Sequence, residues 1–426
     1  MIYNVQDFGA TTDGQLTTAA IQRAIDECFQ NGGGEVVVPT GTYSVGCIRL
    51  RTGVTLHLLE NAILMGSIDP EDYVGYINDA VEPISEEERE TVVDTVVEGY
   101  SSRSAMPFSR WNNAIIRAYR ADNIAIIGEA GSEINGQNCF DEIGEEKYRG
   151  PHAINMWFCH GVELRGYTVR DSANWAHAIQ NSTDIHMQSV TILGGHDGFD
   201  VRTCDRVLVE DCEFRTGDDC IAGFDNIDVT VRNCIFDCAC SMLRFGGTDV
   251  VVENCRGYAA PSTYGFRGSL TEEERRNRAA THEGCRHTSH NAFLYYCDNR
   301  AAVRRTPGNI VFRDCEFNRP NAILNHPFGR LWCSNKPLHD VTFERCAFNG
   351  ISMASNLLSP EGEPLHVVLR DCSVSPREGY EDIALMTGSG VGSITLENVT
   401  VTGFTNPRLA VSDATVTVIG GTPIAY

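Results

Sequence analysis

The feature that most constrains this chain is a degenerate repeat of about 22 residues in its middle. The segments 207–214 and 229–236 align residue for residue, each with alternating apolar positions, an Asp or Asn, a cysteine and a phenylalanine. The apolar residues that open successive repeats fall at 162, 185, 207, 229 and 250, so the steps are 23, 22, 22 and 21 residues. Later repeats open at 310, 341, 367 and 394, after longer steps that indicate inserted loops.

A repeat of this length, with many β-branched residues, period-two alternation and an Asp or Asn at each turn, predicts one coil of a parallel β-helix. Helical repeats have longer periods, and leucine-rich repeats need a leucine framework that this chain lacks. We therefore expect an all-β fold, a single-stranded right-handed parallel β-helix that forms one solenoid domain over 1–426. Because equivalent positions of successive coils stack about 4.8 Å apart, the repeated cysteines should form a ladder inside it.

A solenoid needs a cap at its end, and residues 17–29 predict an N-terminal capping helix with Thr17 or Thr18 as N-cap. Its expected apolar face consists of Ile21, Ala24, Ile25, Cys28 and Phe29. The three glycines at 32–34 end the helix. Two segments, 68–112 and 257–308, break the repeat with charged runs, and we expect them to be loop insertions beside the binding groove.

The net charge and the cysteine content indicate which binding partners and which cellular compartment to expect. The net charge of −23 disfavours nucleic acid and anionic membranes, although a local arginine cluster can still bind an acidic sugar. The 17 cysteines, an odd number, and an N-terminus without a signal-peptide pattern predict reduced thiols in a cytoplasmic protein. Cys238 and Cys240 are too close in sequence for the usual zinc-ligand spacing, so neither a metal nor another cofactor is expected.

Two peptides, Gly195–Asp200 and Gly217–Cys220, carry acidic residues just after the apolar strand of their coils. Asp197 lies seven residues after Val190, and Asp219 lies seven residues after Cys212. Val190 and Cys212 are equivalent positions of neighbouring repeats, so the two aspartates occupy the same coil position one coil apart. Asp218 is adjacent. The sequence therefore predicts three carboxylates on one patch of the solenoid.

Carboxylates at this spacing repel one another, which raises the pKa of at least one of them. Glycoside hydrolysis requires this arrangement, because one acid must protonate the leaving oxygen while another carboxylate activates water. A calcium site is an alternative, since hard cations favour carboxylate oxygens. Aspartates are also common at β-helix turns, so a single one would carry little information.

At these residues the sequence resembles the polygalacturonase family, glycoside hydrolase family 28, over most of the chain. Asp7–Ala10 is similar to the family's N-terminal segment, and Ile134–Gln137 resembles its Ile-Asp-Gly-Gln. Asn174–Trp175 resembles the Asn-Trp found one coil before the active site. Asp197–Asp200 resembles half of the first catalytic motif, and Gly217–Cys220 matches the second.

The resemblance implies that Asp218 is the general acid and that Asp197 and Asp219 activate water for inversion. Spacing alone finds these three residues and leaves their roles open. The residues that we expect to bind substrate are His196, Arg244, Asp200, Trp175 and Cys240.

Three positions depart from the family pattern. Gly195–His196 stands where the family has Asn-Thr, and Cys238–Ser241 stands where it has Gly-His-Gly. The family's Arg-Ile-Lys, which grips the substrate carboxylate, has no clear counterpart, and His290–Phe293 lies roughly there. Arg244 is a candidate substitute, because Leu243 and Phe245 on either side should face the core and turn it outward.

The predicted function is hydrolysis of a plant-type, pectin-related oligosaccharide from chain ends, with inversion. Two other functions are open. A uronate lyase or epimerase would use His196 and Arg244 as base and cation, and a non-catalytic β-helix would only bind carbohydrate. A rise in absorbance from unsaturated uronate marks a lyase, whereas reducing ends without that rise mark a hydrolase.

Overall fold

The computed structural model describes residues 1–73, 110–258, 264–277, 285, 289–298, 303–328 and 336–426. The chain divides into two compact units, residues 1–208 with 266–285, and residues 209–265 with 286–426. Both units consist of short strands that pair in parallel with their counterparts in the next coil. The predicted all-β parallel β-helix is thus confirmed, whereas a single domain over 1–426 stays a prediction.

Each coil of the first unit contributes strands to three parallel sheets, here named A, B and C. Sheet A contains Ile2–Asn4, Gly34–Val38, Val54–Leu58, Asp122–Gly128, His160–Arg165, Thr183–Gln188 and Asp205–Glu210, the last of which crosses the unit boundary. Sheet B contains Gly41–Val45, Ala62–Gly66, Glu133–Asn135, Thr168–Arg170 and Thr191–Gly194. Sheet C contains Ile48–Leu50, Ala114–Tyr119, His152–Trp157, His177–Gln180 and Phe199–Arg202. A further strand, Phe140–Glu145, lies outside these sheets.

The second unit repeats the pattern. Two long strands, Ile221–Arg232 and Ser241–Glu253, run through a corner and serve both sheet C and sheet A. Sheet A continues with Gly308–Arg313, Asp340–Glu344, Leu365–Arg370, Val391–Glu397 and Thr415–Ile419. Sheet B contains Glu213–Thr216, Ile235–Cys238, Arg256–Tyr258, Glu316–Asn318, Ala347–Ile351, Ser373–Pro376 and Thr400–Val401. Sheet C contains Asn291–Tyr295, Ala322–Pro327, Ser355–Leu358, Met386–Ser389 and Leu409–Val411.

The corner between sheets A and B explains the recurring Asp or Asn of the repeat. That residue adopts a left-handed backbone conformation in coil after coil, with φ between 53° and 56° at Asp211, Asn233, Asn254, Asp314 and Asp371. Asp and Asn tolerate this conformation better than most residues with a side chain. The chain therefore turns between the sheets at the positions where the sequence repeat places these residues.

The cysteine that follows each corner points into the core, as predicted. The ladder comprises Cys212, Cys234, Cys255, Cys315, Cys346 and Cys372, all of them buried. Each thiol after the first lies within sulfur hydrogen-bond distance of a carbonyl oxygen in the preceding coil, as with Cys315 and Val252 at 3.5 Å. The 16 cysteines in the described part of the chain are all free thiols, so the ladder is a packing feature.

The predicted capping helix spans Thr18–Gln30, with Thr17 as N-cap. Its buried residues are Ala20, Ile21, Ala24, Ile25 and Cys28. Phe29, predicted for the buried face, is exposed instead, and the Arg51 guanidinium lies 5.7 Å from its ring centroid. The helix ends as expected, since Gly32, Gly33 and Gly34 all have positive φ.

Of the two predicted insertions, 68–112 lies outside the described residues except for its first six and last three positions. Within 257–308, the described segment 264–277 forms a 3-10 turn at Arg267–Ser269 and a short helix at Glu272–Arg276. Thr271 and Glu274 form a capping box at the start of this helix. No helix in the described ranges is long and apolar enough to cross a membrane.

Candidate active site

The acidic peptide Gly217–Cys220 forms the corner between sheets B and C in the second unit. It lies between the strand that ends at Thr216 and the strand that begins at Ile221. The buried Thr216 hydroxyl donates a hydrogen bond to the carbonyl oxygen of Asp218 at 2.8 Å, which fixes the turn. The corner thereby holds two consecutive carboxylates in a defined backbone geometry.

Asp219 is the buried member of this carboxylate pair, with 2% of its surface exposed. Its Oδ1 accepts a hydrogen bond from the backbone N–H of Ser241 at 2.8 Å. Its Oδ2 lies 3.7 Å from Nη1 of Arg244. Burial, followed by the negative charge of Asp218, raises the pKa of Asp219 to about 6, although Arg244 and Ser241 act in the opposite direction.

The thiol of Cys240 completes what we call the Asp219 cluster, consisting of Asp218, Asp219, Cys240 and Arg244. One oxygen of each aspartate and the Cys240 sulfur lie within 4.8 Å of one another. Such a set of donors could hold a metal ion. A cation would compete there with the Arg244 guanidinium, so we interpret the cluster as acid–base machinery. The expected absence of a metal stays a prediction.

His290 lies next to Cys240, a closeness that the sequence analysis missed. Its Nδ1 is 3.7 Å from the Cys240 sulfur, and its backbone N–H donates to the Cys240 carbonyl oxygen at 2.6 Å. The pairing of Ser241 with Asn291 brings His290 beside the segment that replaces the family's Gly-His-Gly. The strand register is the signal that could have placed His290 beside Cys240. The long insertion between these coils conceals that register in the sequence.

Arg244 is positioned on sheet C by the alternation of its strand. Leu243 and Phe245 are buried on either side of it, as predicted, while the Arg244 side chain is 17% exposed. Its guanidinium lies 3.8 Å from the ring centroid of Tyr296, a cation–π contact. The sequence analysis also missed Tyr296, which holds this guanidinium beside Asp219.

In the first unit, Trp175, Asp200 and Arg202 form what we call the Trp175 cluster. Arg202 donates two hydrogen bonds to Asp200, at 2.8 and 3.2 Å. Its guanidinium lies 4.4 Å from a Trp175 ring centroid. Trp175 is itself buried and packs edge-on against Trp111 with ring centroids 5.4 Å apart. Trp175 and Asp200 therefore form a packed ion-pair cluster rather than an open surface for a sugar ring.

His196 and Asp197 are also buried in the first unit. The His196 ring lies 5.9 Å from the ring of Tyr148, and the Asp197 carbonyl accepts a hydrogen bond from the Ala176 N–H at 2.9 Å. Tyr148 carries the guanidinium of Arg275 at 4.5 Å from its ring centroid. The alignment of Asp197 with Asp219, which belongs to the other unit, stays a prediction.

A further titratable group of the first unit is Glu145, whose side chain is 12% exposed. Burial raises its pKa to about 8, although Arg149 opposes this shift. The Arg149 Nε lies 3.7 Å from Glu145 and 3.1 Å from Glu146. One guanidinium thus serves two carboxylates, and burial keeps Glu145 protonated near neutral pH.

The arginines of the 257–308 insertion were predicted to contact substrate. Several of those in the described part bind protein groups: Arg275 donates to the Leu270 carbonyl at 2.6 Å, and Arg276 pairs with Glu272 at 2.8 Å. Arg304 binds Asp225 at 3.0 Å. A role for these arginines in binding substrate therefore stays a prediction.

Comparison with known protein families gives two matches. The model described as Glycosyl hydrolases family 28 matches residues 94–242, which include Asp197, Asp218 and Asp219. Over that segment the chain is similar to the polygalacturonase-like family 28. A second model, described as Rhamnogalacturonase A/epimerase, pectate lyase-like, matches residues 2–57.

Among curated relatives, a "Probable polygalacturonase" of Vitis vinifera is 28% identical over 229 residues. The match covers 51% of this chain and 43% of the Vitis protein, so this chain spans less than half of that relative's length.

Among solved structures, an exopolygalacturonase from Thermotoga maritima matches with a TM-score of 0.67 at 16% identity, over 95% of this chain and 92% of that one. The family 28 exopolygalacturonase of Yersinia enterocolitica gives a TM-score of 0.66 at 17% identity, over 99% and 79%. At these identities the likeness establishes the fold.

Proposed function

We propose that this protein is a glycoside hydrolase that cleaves a pectin-related oligosaccharide from chain ends with inversion of configuration. The observation that carries the proposal is the buried Asp219, whose pKa is raised to about 6 next to Asp218. Two adjacent carboxyls that share a site can hold one proton between them at mildly acidic pH. Glycoside hydrolysis uses one protonated and one ionised carboxyl in the same step.

In the proposed reaction Asp218 gives its proton to the leaving glycosidic oxygen as the bond from that oxygen to the anomeric carbon breaks. A water molecule attacks the same carbon from the opposite face. Asp219, with Asp197 from the preceding coil of the sequence repeat, accepts the proton of that water. These roles rest on the resemblance to the family and on the sequence register.

The spacing within the pair bears on the stereochemistry. Inverting enzymes generally keep their two carboxyls about 6.5–9.5 Å apart to leave room for water. Here an oxygen of Asp218 lies within 4.8 Å of one of Asp219. Inversion therefore requires that Asp197 and Asp219 hold the water to the side of this pair, whereas retention would make one aspartate a nucleophile.

Recognition of an acidic sugar is assigned to Arg244. Its guanidinium can form paired hydrogen bonds with a planar carboxylate, and the Tyr296 ring keeps it oriented at 3.8 Å. Action from chain ends is supported by the two exopolygalacturonases that share the fold.

The deciding experiment incubates the protein with a panel of short plant oligosaccharides, both acidic and neutral. Products are measured by mass, by anomeric NMR before mutarotation, and by absorbance of unsaturated uronate. We expect single uronate residues in the inverted configuration, with no absorbance rise and no activity on neutral oligosaccharides. An absorbance rise would identify the lyase alternative. Binding without products would identify a non-catalytic β-helix.

A further inference from the structure

A pair of arginines lies at the corner between sheets B and C of the second unit. Arg319 and Arg377 each follow a strand of sheet B, and Gly350 lies between them within the strand Ala347–Ile351, where the strand pairing is irregular. The backbone N–H of Arg377 donates to the Ile351 carbonyl at 2.7 Å, next to the irregular pairing that accommodates the glycine. The corner thus stacks arginine, glycine and arginine over three coils.

The Arg377 side chain reaches the backbone of Arg319 beside this glycine. Nη2 of Arg377 donates to the backbone carbonyl of Arg319 at 2.7 Å. A side chain at Gly350 would begin 3.7 Å from Cγ of Arg319 and 4.0 Å from Cα of Arg377. Gly350 has φ of 81°, a conformation that favours glycine. The glycine therefore leaves room for the Arg377 side chain to reach the Arg319 backbone.

These arginines differ from their neighbours in the same unit, which bind carboxylates. Arg345 holds Asp314 with two hydrogen bonds of 2.7 and 2.8 Å. Within the part of the chain that the structure describes, neither Arg319 nor Arg377 pairs with a carboxylate, and Nε of Arg377 is buried without a hydrogen-bond partner. Burial and the charge of Arg319 lower the pKa of Arg377. Two positive charges thus lie near one corner of a chain whose net charge is −23.

The surroundings favour a sugar acid as the missing counter-ion. Tyr380, whose backbone N–H bonds to the Arg377 carbonyl at 3.0 Å, has 43% of its surface exposed beside the pair. Exposed aromatic rings next to cations suit the apolar face and the carboxylate of a uronic acid. The nearby Glu381 is engaged elsewhere, accepting a hydrogen bond from the Gly379 N–H at 2.8 Å.

We propose that Arg319 and Arg377 form a second carbohydrate site, which binds the carboxylate of an acidic polysaccharide outside the Asp219 cluster. The choice of polymer rests on the proposed function, whereas the anion site rests on the two arginines. Such a site would keep the enzyme on a long acidic chain without taking part in bond cleavage.

The test is affinity electrophoresis in native gels that contain polygalacturonate, using the Asp218→Asn protein so that the polymer is not degraded. Arg319→Gln combined with Arg377→Gln should weaken the retardation at least fivefold. Arg345→Gln in the same background is the matched control, because it removes one cation that already has a carboxylate partner. Fully methyl-esterified pectin, which lacks free carboxylates, should not retard the parent. Thermal unfolding of each variant verifies that it is folded.

Unchanged retardation in the double variant would overturn the proposal, and so would an equal loss in Arg345→Gln. If inorganic phosphate competed as well as galacturonate, the site would be a general oxyanion site and the assignment to a polysaccharide would fail. With the active protein, the double variant should cleave a trisaccharide at the parent rate. A protein that binds polygalacturonate through these arginines but cleaves no oligosaccharide would refute only the proposed hydrolase function.

Discussion

Each unit of the molecule places an arginine on an aromatic ring next to an aspartate, but the two groups differ in tightness. In the Trp175 cluster, Arg202 grips Asp200 with two hydrogen bonds of 2.8 and 3.2 Å while lying over the indole. In the Asp219 cluster, the Arg244 guanidinium stays 3.7 Å from the carboxylate, beyond ordinary hydrogen-bond distance.

This difference in geometry distinguishes a structural ion pair, Arg202–Asp200, from the pair that we propose to act on substrate, Arg244–Asp219. A buried, bidentate pair satisfies both charges, so neither partner can bind substrate without breaking it. A looser pair stabilises the aspartate and still lets the guanidinium meet an incoming carboxylate. Residue type alone does not distinguish the two cases, because both contain Arg, Asp and an aromatic ring.

The largest expected effect separates the carboxylates of the Asp219 cluster from those of the Trp175 cluster. Asp218→Asn should reduce activity on natural oligosaccharides by about a thousandfold, because general acid catalysis contributes roughly 10²–10⁴. The loss should be much smaller on an activated aryl glycoside, which needs little proton assistance. Steady-state rates on both substrates test this. Full activity of Asp218→Asn and of Asp219→Asn would end the hydrolase interpretation.

The contrast between the Trp175 cluster and the Asp219 cluster would fail if removing the Arg202 side chain did not lower the free energy of unfolding. Arg202→Ala leaves the nearly buried Asp200 without its partner, and we expect a loss of about 3 kcal/mol in the free energy of unfolding. Urea denaturation provides the measurement, and Arg345→Ala, which breaks an exposed pair, is the control with an expected loss under about 1 kcal/mol. Equal losses in the two variants would contradict the assignment.

Arg244 should behave in the opposite way. Arg244→Ala should lower kcat/KM at least tenfold, about 1.4 kcal/mol, with little change in the urea midpoint. Arg244→Lys should recover only part of this loss, because an ammonium lacks the planar fork. An unchanged kcat/KM on an acidic oligosaccharide in Arg244→Ala would mean that the Arg244–Asp219 pair, like the Arg202–Asp200 pair, has only a structural role.

Glu145 in the first unit should make the free energy of unfolding depend on pH. Its folded-state pKa of about 8 lies above the ordinary value of 4.5, so folding favours the protonated form. This contribution to stability is complete below pH 4.5 and is lost as the pH rises to about 8, at up to about 1.4 kcal/mol per pH unit. Glu145→Gln should flatten this part of the stability curve in urea titrations at several pH values. A curve that kept its slope would contradict the assignment.

The smallest expected effect concerns the thiol of the Asp219 cluster. Cys240→Ala removes a neighbour of the carboxylates and one weak contact that we expect with substrate, but no proton donor of the proposed reaction, so activity should fall less than about threefold. The ladder variant Cys234→Ala is a matched control for the loss of a thiol. A loss of tenfold or more in Cys240→Ala alone would give the thiol, with His290, a direct part in substrate binding or catalysis.

The fold was predictable because the repeat imposes one backbone geometry on many residues at once. Asp211 and Asn233 turn the chain with positive φ, and the cysteines after them are buried, as their spacing indicates. The prediction that Phe29 is buried was wrong. An apolar residue near a helix end can lie at the edge of the buried face, and there the Arg51 guanidinium contacts the Phe29 ring.

The site was predictable where neighbouring coils are close in sequence, and less so elsewhere. Asp218 and Asp219 lie within one motif, whereas His290 and Tyr296 come from within the 257–308 segment and reach the same cluster through three-dimensional packing. Trp175 carries a family motif, and yet its burial against Trp111 depends on a residue more than 60 positions earlier in the sequence. Such contacts depend on three-dimensional packing that no local pattern records.

The same insertion has a consequence for how the second unit folds. Val229 pairs with Val250 across 21 residues, but Val250 pairs with Ile310 across 60. With the logarithmic dependence of loop-closure entropy on length, the longer loop costs about 0.9 kcal/mol more. Coils could otherwise add one at a time by short-range closure. The step from 250 to 310 is therefore where growth of the solenoid should pause, and where the half-built edge is exposed longest to association with another chain.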